Sequence, residues 1–155
     1  MGRHTEEQRR RNMQAVKAKG SKIEKLLARA LWDRGYRYRK NYKTVTGKPD
    51  FVFLSLKVAV FCDSEFWHGK DWERKKAEIK SNQKFWYRKI EGNIARDREV
   101  NRILAEQGWL VLRFWGRKIL KDAAGCADVV ADAVERRKSE KQRLIHEKRI
   151  ARRGR

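Results

Sequence analysis

KPDFVFLSLKVAVFCDSEFWHG, residues 48–69, is the stretch around which the rest of the chain organises. Pro49, the chain's only proline, lacks a backbone donor and suits the first residue of a strand or an edge. FVFLSLKVAVFCD then reads as two short strands in a tight hairpin, rich in β-branched and aromatic residues. The second strand is almost wholly apolar, which predicts that it is buried. Asp50 opens the first strand and Asp63 closes the second, so the hairpin brings two acids to one edge of a sheet. His68 follows five residues later, beside Phe66 and Trp67.

Upstream, SKIEKLLARALWDRG places Ile23, Leu26, Leu27, Ala30 and Leu31 at the spacing of an amphipathic helix closed by Gly35. Residues 3–19 are basic and helix-permissive and end at a Lys19-Gly20 break. YRYRKNY alternates aromatic and basic residues, the pattern of an edge strand. Downstream, residues 82–106 predict a long helix with Ile90, Ile94 and Leu104 on one side, and GWLVLRFW a further strand entered at Gly108. From Asp122 the chain reads as helix, with Val130, Ala133 and Val134 toward the core. The last 20 residues hold ten Lys/Arg and two Glu, a frayed helix or a flexible basic arm. The order α-β-β-β-α-β-α predicts an α/β fold, a mixed β-sheet flanked by helices, in a single domain.

Forty-one Lys+Arg against 20 Asp+Glu leave a net charge of +21, which calls for a polyanionic partner. RNA, DNA and an anionic membrane surface all fit that charge. No apolar run approaches the roughly 18 residues of a spanning helix, and the opening MGRHTEEQRRR has no apolar stretch of a signal peptide. Cys62 and Cys126 are far apart and read as reduced thiols of an intracellular protein. Hydrolysis of a phosphodiester requires a divalent metal to offset phosphate charge and a base to activate water. Mg²⁺ takes carboxylate and carbonyl oxygens, and a histidine titrating near neutrality is a competent base. Asp50, Asp63 and His68 supply those groups within 19 residues of sequence.

GKPDFVF, VAVFCDSEFWHG, FWYRKIEGNIARDREV and GWLVLRFW, with the opening RRNMQAVKAKGSKIEKLLARALW, resemble the very short patch repair endonucleases in order over roughly residues 9 to 120. That family nicks bacterial DNA at T:G mismatches on a restriction-endonuclease-like fold. With the charge runs at either end, the chain is expected to divide into a basic arm at 1–20, an endonuclease-like catalytic domain at 21–135 and a basic tail at 136–155. Asp50 and the carbonyl of Cys62 would hold Mg²⁺, His68 would be the general base, and Glu24 would support the metal-bound waters. Phe66, Trp67 and Trp86 would wedge into the base stack. Lys89 and Asn93 would face DNA, and Asn12 and Met13 of the N-terminal arm would reach across the duplex.

Two departures stand out. Asp63 occupies a position where that family has histidine, and an aspartate there either ligates the metal directly or weakens catalysis. The family's structural zinc site falls on Glu65, Lys70, Trp72 and Arg117, none of them a zinc ligand, so no zinc is expected. A Glu65–Arg117 charge pair with Trp72 packed beside it is the expected replacement.

Plainer assignments compete at several positions. Ser21-Lys22-Ile23-Glu24 is a capping-box pattern, so Glu24 reads equally as a helix cap. Asp97 reads as a solvated or hydrogen-bonded helix residue, and Trp32, Trp109 and Trp115 as packing residues. Three functions are carried forward: a Mg²⁺-dependent mismatch nickase, a related endonuclease with a restriction, mobile-element or homing target, and a non-catalytic DNA-binding protein. The first implies double-stranded DNA as partner, no membrane, a monomer, contacts with mismatch-repair proteins, and a bacterial cytoplasmic, nucleoid-associated location.

Overall fold

The computed structural model describes residues 5–155, apart from the side chains of residues 9, 10 and 12–21. Asn12 and Met13 therefore lie outside the described side chains. Helix α1 spans Glu6–Asp33, strand β1 Arg39–Lys40, β2 Phe51–Phe53 and β3 Val58–Asp63. A short helix α2 (Trp72–Lys75), the long α3 (Gln83–Glu106), strand β4 (Leu110–Trp115) and α4 (Gly116–Arg153) complete the chain. The sheet order is β1-β2-β3-β4, antiparallel for the first two pairings and parallel between β3 and β4. A mixed sheet flanked by helices is the expected architecture.

The hairpin turns through a 3₁₀ segment, Leu54–Leu56, and closes on Lys57 in the left-handed region at φ 55°. Strand periodicity then divides the residues between two faces. Phe51, Phe53, Val58 and Val60 pack with Ile23, Leu27 and Leu31 of α1 and Ile119, Val130 and Val134 of α4. Val52, Ala59 and Phe61 pack on the other side with Val100 and Leu104 of α3. Helices α1 and α4 thus cover one face and α3 the other.

Four local expectations change. Helix α1 passes through Gly20 and starts at a Thr5–Gln8 capping box, so Ser21 is interior and Glu24 is no cap. One glycine costs a helix about 1 kcal/mol, too little to break a long capped segment. The final residues are not frayed: α4 continues to Arg153, with Arg143 and Glu147 paired one turn apart at 3.8 Å and arginines in its last turn complementing the helix dipole. The edge strand contracts to two residues. Trp32 is also 52% exposed rather than packed, its ring covered by the Arg37 guanidinium at 3.4 Å.

Leu104 is fully buried between α3 and the sheet. Leu104→Ala is expected to cost about 2–5 kcal/mol in denaturant unfolding, whereas Leu144→Ala, on the exposed end of α4, should stay within about 0.5 kcal/mol.

Candidate active site

The ends of β2, β3 and β4 meet the middle of α1 and the middle of α3, and the polar residues collect there. Asp50, just ahead of β2, accepts a hydrogen bond from the backbone N–H of Cys62 at 2.6 Å. Burial pushes its carboxyl up to about 7 despite that donor, and the neighbouring carboxyl of Glu24 on α1 adds to the rise. Among the described residues, no cation forms a salt bridge with Glu24 or Asp50. Burial, followed by the charges of Asp50, Glu24 and Asp63, pushes the Cys62 thiol up strongly. Cys62 is therefore a neutral thiol, and its backbone is what it can offer to a site.

On the α3 side the charges are balanced. Asp63 is 5% exposed, the one buried charged side chain among the described residues. Burial raises its carboxyl pKa, while His68 and Arg113 oppose the rise. Arg113 Nη1 donates to both Asp63 oxygens, at 3.1 and 3.3 Å. His68 Nδ1 donates to Asp97 Oδ2 at 2.6 Å and lies 3.6 Å from Asp63 Oδ1. An ionised carboxylate only accepts, so the proton sits on Nδ1 and Nε2 of a neutral ring keeps its lone pair. Asp63, His68 and Asp97 have ligand atoms within 4.8 Å of one another and line a cavity of about 210 Å³ with Arg98 and Arg113.

The segment between β3 and α2 holds His68 in place through its backbone. The His68 N–H bonds Ser64 O at 3.1 Å, and Gly69 at φ +66° lies against Ile94 and Ile90 of α3, where a Cβ would overlap. Glu65 does not pair with the Arg117 guanidinium as expected. Its carboxylate instead accepts the Arg117 backbone N–H at 2.6 Å. An acid at a helix N-terminus meets unsatisfied donors and the positive end of the dipole, so the backbone wins. Trp72 is buried, edge-on to Tyr87 at 5.7 Å, its indole N–H donating to Glu91 at 3.2 Å. Lys70 lies 5.8 Å over the Trp115 ring.

Phe66, Trp67 and Trp86 come together as one cluster, with ring centroids 5.4–5.8 Å apart. Phe85, 61% exposed and 5.2 Å from Trp86, extends it. Asn93 donates its amide to Trp67 O at 3.0 Å, and Lys89 is exposed one turn earlier. The residues absent from the sequence reading of the site are Asp97, Arg113 and Phe85. Asp97 lies four residues after Asn93 on the same helix face, and Phe85 adjoins Trp86, so both carried a spacing signal. Arg113 sits within an apolar strand, and a half-buried arginine in such a run calls for an acidic partner.

A raised carboxyl pKa favours the uncharged form in the fold. Its stabilising contribution is present below about pH 4 and lost as pH rises through about 7. In chelator, Asp50→Asn is expected to match wild type at pH 4 and to exceed it at pH 8, by up to a few kcal/mol. An equal offset at both pH values in denaturant titrations would mean that charge is not the cause.

A family model described as DNA mismatch endonuclease Vsr matches residues 1–74. Type II nicking enzyme V.NmeDIP of Neisseria meningitidis serogroup C is 56% identical over 134 residues, covering 86% of this chain and 90% of that protein. Type II nicking enzyme V.HpaIIP of Haemophilus parainfluenzae is 51% identical over 79% of this chain and 87% of that protein. DNA mismatch endonuclease Vsr of Escherichia coli (strain K12) is 34% identical over 78% and 80%. With the mixed sheet and flanking helices of the restriction-endonuclease-like fold, these likenesses make the chain a member of the Vsr family of DNA endonucleases.

Proposed function

We propose that this enzyme nicks one strand of duplex DNA at or near a T:G mismatch, with Mg²⁺ as its metal and His68 as its base. The observation carrying this reading is the division of charge at the strand ends. Glu24 and Asp50 are two neighbouring carboxyls with no cation bridged to either among the described residues, while His68, held by Asp97, keeps its Nε2 open. Such an oxygen donor set fits a hard divalent cation, with Asp50 and the Cys62 carbonyl as holders and Glu24 supporting its waters. When bound, Mg²⁺ offsets charge on the scissile phosphate and lowers the pKa of water.

His68 Nε2 takes the proton of the attacking water as its oxygen bonds phosphorus. The P–O bond opposite breaks, and the departing alkoxide takes a proton from solvent. Asp97 holds the ring and stabilises the imidazolium that forms. With Asp63 bonded to Arg113 through both oxygens, its carboxylate has little to spare for the metal.

Recognition is assigned to the aromatic cluster. A mismatched step is cheaper to open than a paired one by a few kcal/mol, so a wedge of Phe66, Trp67 and Trp86 selects steps that open easily. Lys89 faces the phosphates, and Asn93 holds the Trp67 backbone from behind. The basic segments 1–20 and 136–155 flank the 21–135 core and add sequence-independent affinity. One centre per chain suits a monomer that cuts one strand. The relatives' names favour a nick over a double-strand cut, and V.NmeDIP and V.HpaIIP are called Type II nicking enzymes.

Two labelled duplexes identical except for one T:G pair, incubated with protein and Mg²⁺, test the reading. Nicking of the mismatched duplex alone is expected, with Asp50→Ala and His68→Ala silent yet still binding DNA. Trp86→Ala should lose about 10- to 100-fold in kcat/KM, the worth of one stacked base. Equal cutting of both duplexes would move the target elsewhere, and nicking by Asp50→Ala would remove the metal site from it.

A further inference from the structure

Arg113 projects from the middle of an otherwise apolar strand into the space between β3 and α3, where four groups meet it. Nη1 donates to both oxygens of Asp63 and lies 3.6 Å from Asp97 Oδ1. Nε donates to Asn101 Oδ1 at 2.7 Å, and the guanidinium carbon stands 4.0 Å over the Phe61 ring. The oxygens of Asp97 are thereby divided, Oδ1 toward Arg113 and Oδ2 on His68 Nδ1 at 2.6 Å. A planar guanidinium gripped on one edge by Asp63, on another by Asn101 and on one face by Phe61 has no rotation left. The carboxylate it meets is fixed with it.

We propose that Arg113 is a positioning residue for His68, acting through Asp97, with Asp63 as its anchor in the sheet. This rests on the reading of His68 as the base. By setting the rotation of Asp97, Arg113 sets the ring angle of His68 and holds its proton on Nδ1, so that Nε2 meets the water. Asp63, His68 and Asp97 are close enough together to hold a cation, but the guanidinium already occupies that role. The pair also accounts for aspartate at position 63, where the resembling family has histidine. A buried aspartate in that place requires a cation, and the strand opposite provides one: Phe61 and Asp63 pair in register with Arg113 and Trp115.

The test compares Arg113→Leu, the paired Asp63→Asn/Arg113→Leu protein and His68→Ala with wild type, all as full chains. The readouts are unfolding midpoint, kcat and KM for nicking the T:G duplex, and the two-bond ¹H–¹⁵N spectrum of the His68 ring at a single alkaline pH. Arg113→Leu should be destabilised, because it leaves Asp63 buried and unpaired. It should lose about 10- to 100-fold in kcat, the usual cost of a lost orienting partner, with KM within about threefold. Its His68 spectrum should change from the single Nδ1–H tautomer to a mixture. The paired variant should recover the midpoint yet keep the low kcat and the mixed tautomer, a split that simple charge balance does not produce.

If the paired variant recovers kcat and the wild-type spectrum along with stability, the proposal is overturned. Should Arg113→Leu fail to fold, the paired variant carries the test. Wild-type nicking by His68→Ala would instead sink the assignment of the base, and the His68 spectra in the Arg113 variants would then decide alone whether Arg113 holds the ring.

Discussion

The last rungs of the parallel β3–β4 ladder set the conditions for the rest of the site. Phe61 lies opposite Arg113 and Asp63 opposite Trp115. Strand alternation sends Phe61, Asp63 and Arg113 to the face covered by α3 and leaves Val60, Cys62 and Leu112 toward α1 and α4. A slip of one residue would exchange the two sets, burying Asp63 against leucines with no cation in reach. An unpaired buried charge costs several kcal/mol, so the register and the ion pair enforce each other. Helix α3 then completes the arrangement by offering Asp97 and Asn101 on successive turns to the same arginine.

The consequence is an asymmetric distribution of charge over a few residues. Asp63, Asp97, Arg113 and His68 form a nearly balanced group joined by hydrogen bonds, with Nε2 of His68 left open. Glu24 and Asp50 lie near each other on the α1 side, and Asp50 is held up near 7 by burial first. One group stores orientation and the other stores affinity for a positive charge. Keeping them separate suits the proposed chemistry, in which a base must not be consumed as a ligand, nor a ligand be neutralised by an internal cation. Cys62 stands between the two as a neutral thiol whose N–H reaches Asp50.

The segment 64–72 is held by several modest contacts. Glu65 caps α4 through the Arg117 N–H, Gly69 allows close approach to α3, Trp72 is buried against Tyr87, and Asn93 bonds Trp67 O. Each is worth on the order of 1 kcal/mol or less beyond burial. Together they fix a loop that carries both a histidine and two exposed or half-buried aromatics. Capping by Glu65 also ties this loop to the start of α4, so the aromatic cluster and His68 share one rigid support.

The hairpin at 51–63, the long helix at 83–106 and the strand at 110–115 were legible because their periods of two and 3.6 are strong and their ends are marked by Pro49, Asp63 and Gly108. The gathering of Phe66, Trp67 and Trp86 was legible only through the family resemblance. Helix ends were not: Gly20 and the basic tail look like breaks locally, yet helix formation is cooperative and a single weak residue does not stop it. Asp97 and Arg113 were missed for a different reason. Each is unremarkable on its own element, an acid on a charged helix and an arginine in a strand. Their meaning arises only where β4 runs parallel beside β3 under α3, through contacts between residues 16, 29 and 50 positions apart. The sequence by itself determined the elements, the acids at the strand ends and the polyanionic partner, since these follow from local spacing and summed charge. Only the tertiary structure decided which acid faces a cation, which faces another acid, and which holds the histidine, because those depend on distance across the sheet.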